Sequence, residues 1–467
     1  MSHAPRIVIC GLALCLLSAC VGTTPHRQIR TLSVADPLGK DSLGDYNDLK
    51  HLPHDVFAQK VGERVVEGYR QFDLSVVEFD DQGKLWSREQ QLGALDRLSE
   101  DADAKRNGAI ILVFVHGWQE NADVVNATVR CFRRMLYAWY QDEGPDGRRI
   151  IGVYVGWRGQ SQRLPLLKYL TFWTRKKAAH KIGRGDMDEL LVHLEDLKGQ
   201  LMKSEPPDKR YGTRLVVIGH SFGGAIVFSA LDNILKKSTL ESIVPFQHGE
   251  SNDVGVIRAG NTDLVVLLNP ALETLLYSGL VEATTNCTRF NPYQNTVLMT
   301  IGAQNDSATG VDFPVGQFFP TLLQNFKTNS DERVMNKMTL GHYEKYFDYL
   351  LTGIGQTNSA VTASDKQDKD INIGRRRRVQ LPSLSEGLIA QLNVFTNRQW
   401  NLFPYPGNPP PRERAPFLVI SATPDIVDNH TGIWGNALVD FLRDFIAAHD
   451  DRQAEIQRQR GEPATGK

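Results

Sequence analysis

Apolar residues in this chain gather in short unbroken runs, separated by longer stretches with helical spacing. Ala109 to Val115 reads AIILVFV, the pattern of a strand covered on both faces. Ile150 to Val155, Leu215 to Ile218, Leu264 to Leu268, Thr296 to Ile301 and Phe417 to Ser421 predict five further strands. Between them, residues 121–140, 187–203, 222–237 and 432–449 have helical spacing. Upstream, Phe72 to Phe79 alternates like a strand and is followed by the turn Asp80-Asp81-Gln82-Gly83. Residues 87–103 then place Leu92, Leu95 and Leu98 on one helix face. Strands alternating with helices predict an α/β fold with a mostly parallel sheet and helices on both faces.

Two stretches interrupt the rhythm and read as insertions. Residues 157–187 mix aromatic and basic side chains between a strand and its helix, as a cap facing an anionic membrane or a plain surface insertion would. Residues 307–415 separate the fifth apolar strand of the alternating series from the sixth. They contain the run Arg375 to Arg378, read as a solvated loop, and a proline-rich stretch from Pro404 to Pro411. The main domain is thus expected over 61–450, after a polar tether at 20–60 and before a charged tail at 451–467.

The first residues change the picture of where the chain works. Arg6 precedes an apolar run from Ile7 to Leu17 that is too short to span a bilayer as a helix. Leu17-Ser18-Ala19-Cys20 follows and resembles the lipobox of bacterial lipoproteins, which implies cleavage of residues 1–19 and lipidation of Cys20. The expected location is the bacterial envelope. Val21 stands where an inner-membrane retention signal would carry aspartate, so the outer membrane facing the periplasm is preferred.

Composition narrows the class. The chain has 467 residues, 41% hydrophobic and 23% charged, which is enough apolar matter for a large core. With 53 basic and 54 acidic residues its net charge is −1, and nothing in that balance points to nucleic acid. Cys131 and Cys287 lie in the body, where either one disulfide or two buried thiols would fit. No Cys/His cluster has metal-ligand spacing.

The chemistry centres on Gly219-His220-Ser221-Phe222-Gly223-Gly224, a G-x-S-x-G motif placed directly after the strand Leu215 to Ile218 and opening a helix. Such a turn pushes the serine Oγ into the open, and the glycines remove Cβ atoms where strand and helix converge. The turn His116-Gly117-Trp118 ends the strand at 109–115. His430 lies in a late loop ahead of the last helix, the place for a base in chain order, with His342 as the second candidate. His116 is expected to be structural.

These features together resemble the α/β-hydrolase superfamily, and more narrowly its bacterial esterase- or lipase-like lipoproteins, over residues 64–450. The resemblance implies a Ser–Asp–His triad and no cofactor. It implies Ser221 as nucleophile and an oxyanion hole from the backbone N–H groups of Trp118 and Phe222. Two carboxylates compete for the acid: Asp306, after the fifth apolar strand of the series, is favoured over Glu273, after the fourth. Asp425 and Asp428 are expected to shape the loop of His430. The expected reaction is hydrolysis of a small-molecule or lipid ester through an acyl-enzyme. Acyl transfer, amide or thioester cleavage by the same triad are alternatives, as is a non-catalytic envelope lipoprotein that binds without reacting.

Overall fold

The computed structural model describes residues 24–27, 45–62, 64–159, 172–205, 212–247, 254–287, 289–322, 324–328, 330–354 and 399–459. Cys20, the arginine run 375–378 and residues 160–171 of the 157–187 insertion lie outside them.

Ten strands form one sheet. In chain order they are β1 (Val66–Gly68), β2 (Phe72–Phe79), β3 (Ala109–Val115), β4 (Arg149–Trp157), β5 (Arg214–His220), β6 (Leu264–Leu268), β7 (Leu298–Ala303), β8 (Tyr349–Gly353), β9 (Trp400–Pro404) and β10 (Phe417–Ala422). Across the sheet the order is β1-β2-β4-β3-β5-β6-β7-β10-β8-β9. Every neighbouring pair from β2 to β8 is parallel, and antiparallel β1 and β9 close the two edges. The chain is therefore an α/β protein with a mostly parallel sheet. Every residue of β3, β4, β6 and β7 is buried, so both faces of the central sheet are covered. That explains why these strands read as unbroken apolar runs rather than alternating ones.

The main helices are α1 (Arg88–Leu98), α2 (Ala127–Glu143), α3 (Phe172–Gly183), α4 (Met187–Ser204), α5 (Phe222–Gln247), α6 (Thr274–Thr284), α7 (Phe313–Leu322) and α8 (Asn436–Gln459). Among the described residues, no helix is long and apolar enough to cross a membrane. Cys131 and Cys287 are not joined in a disulfide, so of the two expectations that of two thiols holds.

The 307–415 stretch is more than an insertion, because it supplies β8 and β9, which continue the sheet past β10. The expected sixth strand of the series, β10, is thereby an interior strand between β7 and β8. Both carboxyl-end loops that matter below, after β7 and after β10, are side by side for that reason.

Candidate active site

The site is built at the carboxyl ends of the parallel strands, where β5 turns into α5. Ser221 sits on that turn with φ +56°, a left-handed backbone conformation that is costly for a residue with a Cβ. The turn is tied down on two sides. Ser221 N donates to Leu268 O at 3.0 Å, and Ser221 O accepts from Ala271 N at 3.0 Å and Gly224 N at 3.0 Å. A Cβ on Gly219 would lie 2.6 Å from Gly223 O, and one on Gly223 would lie 2.6 Å from His116 O. Only glycine lets β5, α5 and the end of β3 approach this closely.

Ser221 Oγ is 2.9 Å from His430 Nε2, and His430 Nδ1 is 2.8 Å from Asp306 Oδ2. The carboxylate can only accept, so Nδ1 carries the proton and Nε2 is left to accept from the serine hydroxyl. Asp306 is buried. Burial acts to raise its pKa, but hydrogen bonds and charge from His430, with bonds from Thr309, outweigh it and hold the carboxyl below its usual range. The other expected acid, Glu273, bonds Lys176 and Gln317 instead. His342 stands on the far side of Asp306, its Nδ1 3.1 Å from Thr339 Oγ1 and 3.5 Å from Thr309 Oγ1. Of the candidate bases, His430 is the one whose ring meets Ser221.

The loop of His430 is clamped by residues with no obvious sequence signal for that role. His220 Nε2 donates to His430 O at 2.9 Å, and Asn269 Nδ2 donates to the same oxygen at 3.0 Å. Asn269 Oδ1 accepts from Ala303 N at 2.8 Å, so one side chain links the ends of β6 and β7 to the histidine loop. Asn269 itself has φ +43°. An asparagine followed by proline directly after an apolar strand is a turn signal, and that signal was present in Asn269-Pro270. Asn305 adds two bonds, donating to Asp428 Oδ1 at 2.9 Å and accepting from Asn429 N at 2.9 Å. Asp425 accepts from Gly353 N and Thr423 Oγ1 and so ties the loop to β8, while Asp428 holds it through the side chain of Asn305.

The turn after β3 packs on the nucleophile. A Cβ on Gly117 would lie 2.8 Å from Ser221 Cβ. As the first residue of α5, Phe222 has an N–H with no acceptor within the helix. His116 is buried and bonded at both ring nitrogens, Nδ1 to Gly117 O at 2.8 Å and Nε2 to Trp157 N at 3.0 Å. Burial pushes its pKa down to about 4, so it is a neutral brace for the turn. Trp118, Phe172, Phe222 and Phe313 form an aromatic wall, with centroids 6.0 Å apart for Trp118–Phe172, 5.4 Å for Phe172–Phe222 and 5.9 Å for Phe172–Phe313. Phe172, from the 157–187 stretch, therefore packs beside Phe222, the residue that follows Ser221.

Among the described residues, no group of three or more His, Cys, Asp or Glu side chains is arranged to hold a metal ion. Comparison of the chain with family models, curated proteins and solved structures finds no match.

Proposed function

We propose that this chain is a serine hydrolase of the α/β-hydrolase superfamily, acting on carboxylic esters through an acyl-enzyme. The observation that carries this reading is the hydrogen-bonded line Asp306–His430–Ser221, with the serine on a strained turn between strand and helix. Ser221 Oγ attacks the ester carbonyl while His430 Nε2 takes its proton. The tetrahedral oxyanion is held by the N–H groups of Phe222 and Trp118. His430 then protonates the departing alcohol. A water, deprotonated by the same nitrogen, cleaves the acyl-enzyme and frees the acid and Ser221. Asp306 keeps the imidazole in the required tautomer and stabilises its cation without taking the proton. The aromatic wall offers an apolar resting place for the acyl chain.

A fluorophosphonate probe tests this directly. It should label the folded protein at Ser221 and leave Ser221→Ala unlabelled. Nitrophenyl esters of increasing chain length should then be hydrolysed by the native chain and not by that variant. A folded protein that ignores both the probe and the esters would instead be a binding module on this scaffold.

A further inference from the structure

The helix after Asp306 has two unlike faces. Phe313, Gln317 and Thr321 of α7 are buried, Phe313 against Phe172 and Gln317 on Glu273. The opposite stripe faces solvent and is entirely apolar: Val311 is 58% exposed, Val315 67%, Phe318 48% and Leu322 55%. Spacings of three and four put Val315, Phe318 and Leu322 of α7 on one line, and Val311 lies in the π-helical turn Ala308–Asp312 just before it. Trp173, 38% exposed, adjoins it by donating Nε1–H to Gly316 O. Exposed Lys177 and Arg333 lie on the neighbouring helices and exposed Asp312 lies within the stripe's first turn, so the charge around it is mixed. A continuous exposed apolar stripe is the feature of a soluble surface that asks for an occupant.

Where the amino-terminal segment attaches says which occupant. His26 N and Arg27 N donate to the carboxylate of Glu78 at 2.7 and 2.8 Å, and Arg27 pairs with buried Glu67 at 3.0 Å. Glu78 is at the carboxyl end of β2, the same end of the sheet as Ser221. In the sheet, β2 and β5 are three strand spacings apart, about 14 Å. Cys20 is linked to Arg27 by seven residue steps, at most ~25 Å of extended chain. A lipid on Cys20 would therefore lie within ~25 Å of the point where Arg27 is held beside the carboxyl end of β2.

We infer that the stripe Val311, Val315, Phe318 and Leu322 docks on a lipid surface and lays the Ser221 end of the sheet against it. The anchoring segment attaches at the carboxyl end of β2 and the helix of the stripe follows β7, and these two strands lie on either side of β5 in the sheet order. An ester drawn from the bilayer then meets the aromatic wall of Trp118, Phe172 and Phe313 without crossing water. This deepens the hydrolase reading by naming a membrane-embedded ester as its substrate class, and it uses the lipid anchor expected at Cys20 for orientation.

The test uses the full lipidated chain on phosphatidylcholine vesicles, with and without phosphatidylglycerol. Hydrogen exchange of backbone 311–322 should slow by roughly tenfold on the vesicles relative to detergent, because an embedded apolar face excludes water. The double variant Val315→Glu, Phe318→Glu should lose that protection. It should also hydrolyse a long-chain ester embedded in vesicles roughly tenfold more slowly, or worse, while a short soluble ester is turned over as before. Val192→Glu, at a position 63% exposed away from the stripe, should change neither rate. Unchanged exchange on vesicles overturns the inference, as does an equal loss on both esters. A protein that dimerises through 311–322 in detergent, with protection rising with concentration, also overturns it in favour of a self-interface. If the native chain hydrolyses neither ester, the hydrolase reading fails, and the exchange experiment still decides the docking.

Discussion

The carboxylate of Asp306 accepts hydrogen bonds from Ala308 N, Thr309 N, Thr309 Oγ1 and His430 Nδ1. Three of these come from its own turn, so the acid is held in place before the histidine arrives. Asp306→Asn keeps an acceptor for that turn but turns an amide N–H towards the imidazole. Under the proposed mechanism, that reverses the tautomer and should lower kcat by roughly 10⁴ with little change in the urea midpoint. Glu273→Gln should cost far less in kcat, since Glu273 serves Lys176 and Gln317. Steady-state rates on a nitrophenyl ester check both, and the reverse ranking would move the acid's role to Glu273. Two buried neutral histidines contribute to the response to acid. Burial lowers His116 from 6.5 to about 4, and burial together with the neighbouring His430 lowers His220 from 6.5 to about 3. The unfolded chain binds those protons first, so both residues contribute stability above pH 6.5 that is lost as the pH falls through the folded values. Asp348 works the other way: burial raises it from 3.8 to about 6, and its contribution fades as pH rises through that range. Between about 4 and 6.5 the contribution of the two imidazoles therefore rises with pH. The gap in thermal midpoint between the native chain and His116→Gln should shrink as the pH falls across that range, and a constant gap would refute this.

At the scale of elements, α5 and β5 meet with no room to spare. Gly223→Ala places a methyl group against Val115 O and His116 O, which are backbone atoms and cannot step aside. It should cost about 2 kcal/mol or more and suppress probe labelling at Ser221, as urea unfolding and labelling rates would show. The elements around this junction are the ones the residue pattern made legible. β3, β5, β6 and β10 are buried on both faces, so their residues need no alternation and stand out as apolar runs. The edges were not legible. β1 is three residues long and contains Glu67, which reads as a surface residue. Burial opposes that charge, but Arg133 and Arg27 more than compensate, holding its carboxyl down to about 2. Two arginines distant in sequence thus make a strand residue out of a glutamate. In the same way, β8 and β9 are short and mixed, and their place beside β10 is fixed by pairing rather than by local pattern. Ser221, His430 and Asp306 were legible as candidates because each follows an apolar strand. The clamp from His220 and Asn269 to His430 O was not, since it joins positions 220, 269 and 430 through space alone.

The whole molecule is fastened at the end remote from Ser221. Asp450, late in α8, accepts from Arg148 NH1 at 2.7 Å and from Arg214 Nε at 2.5 Å, just ahead of β4 and at the start of β5. All three side chains are largely buried, and the two guanidinium groups hold the Asp450 carboxyl well below the usual range against the opposing effect of burial. Asp450→Asn would leave two cations facing a neutral amide. The expected cost is about 3–5 kcal/mol in urea unfolding, with turnover per folded molecule unchanged. A large fall in kcat at full folding would show that this end communicates with the other.

The position of β10 has a consequence for the chain while it is being made. Its base-bearing loop is drawn from the last tenth of the polypeptide, yet the strand must slot between β7 and β8, which are already long finished. Until that loop arrives, Ser221 and Asp306 lack the imidazole that joins them. Under the proposed mechanism a chain that stops short of it would therefore have no base, and turnover would begin only once the final insertion is complete.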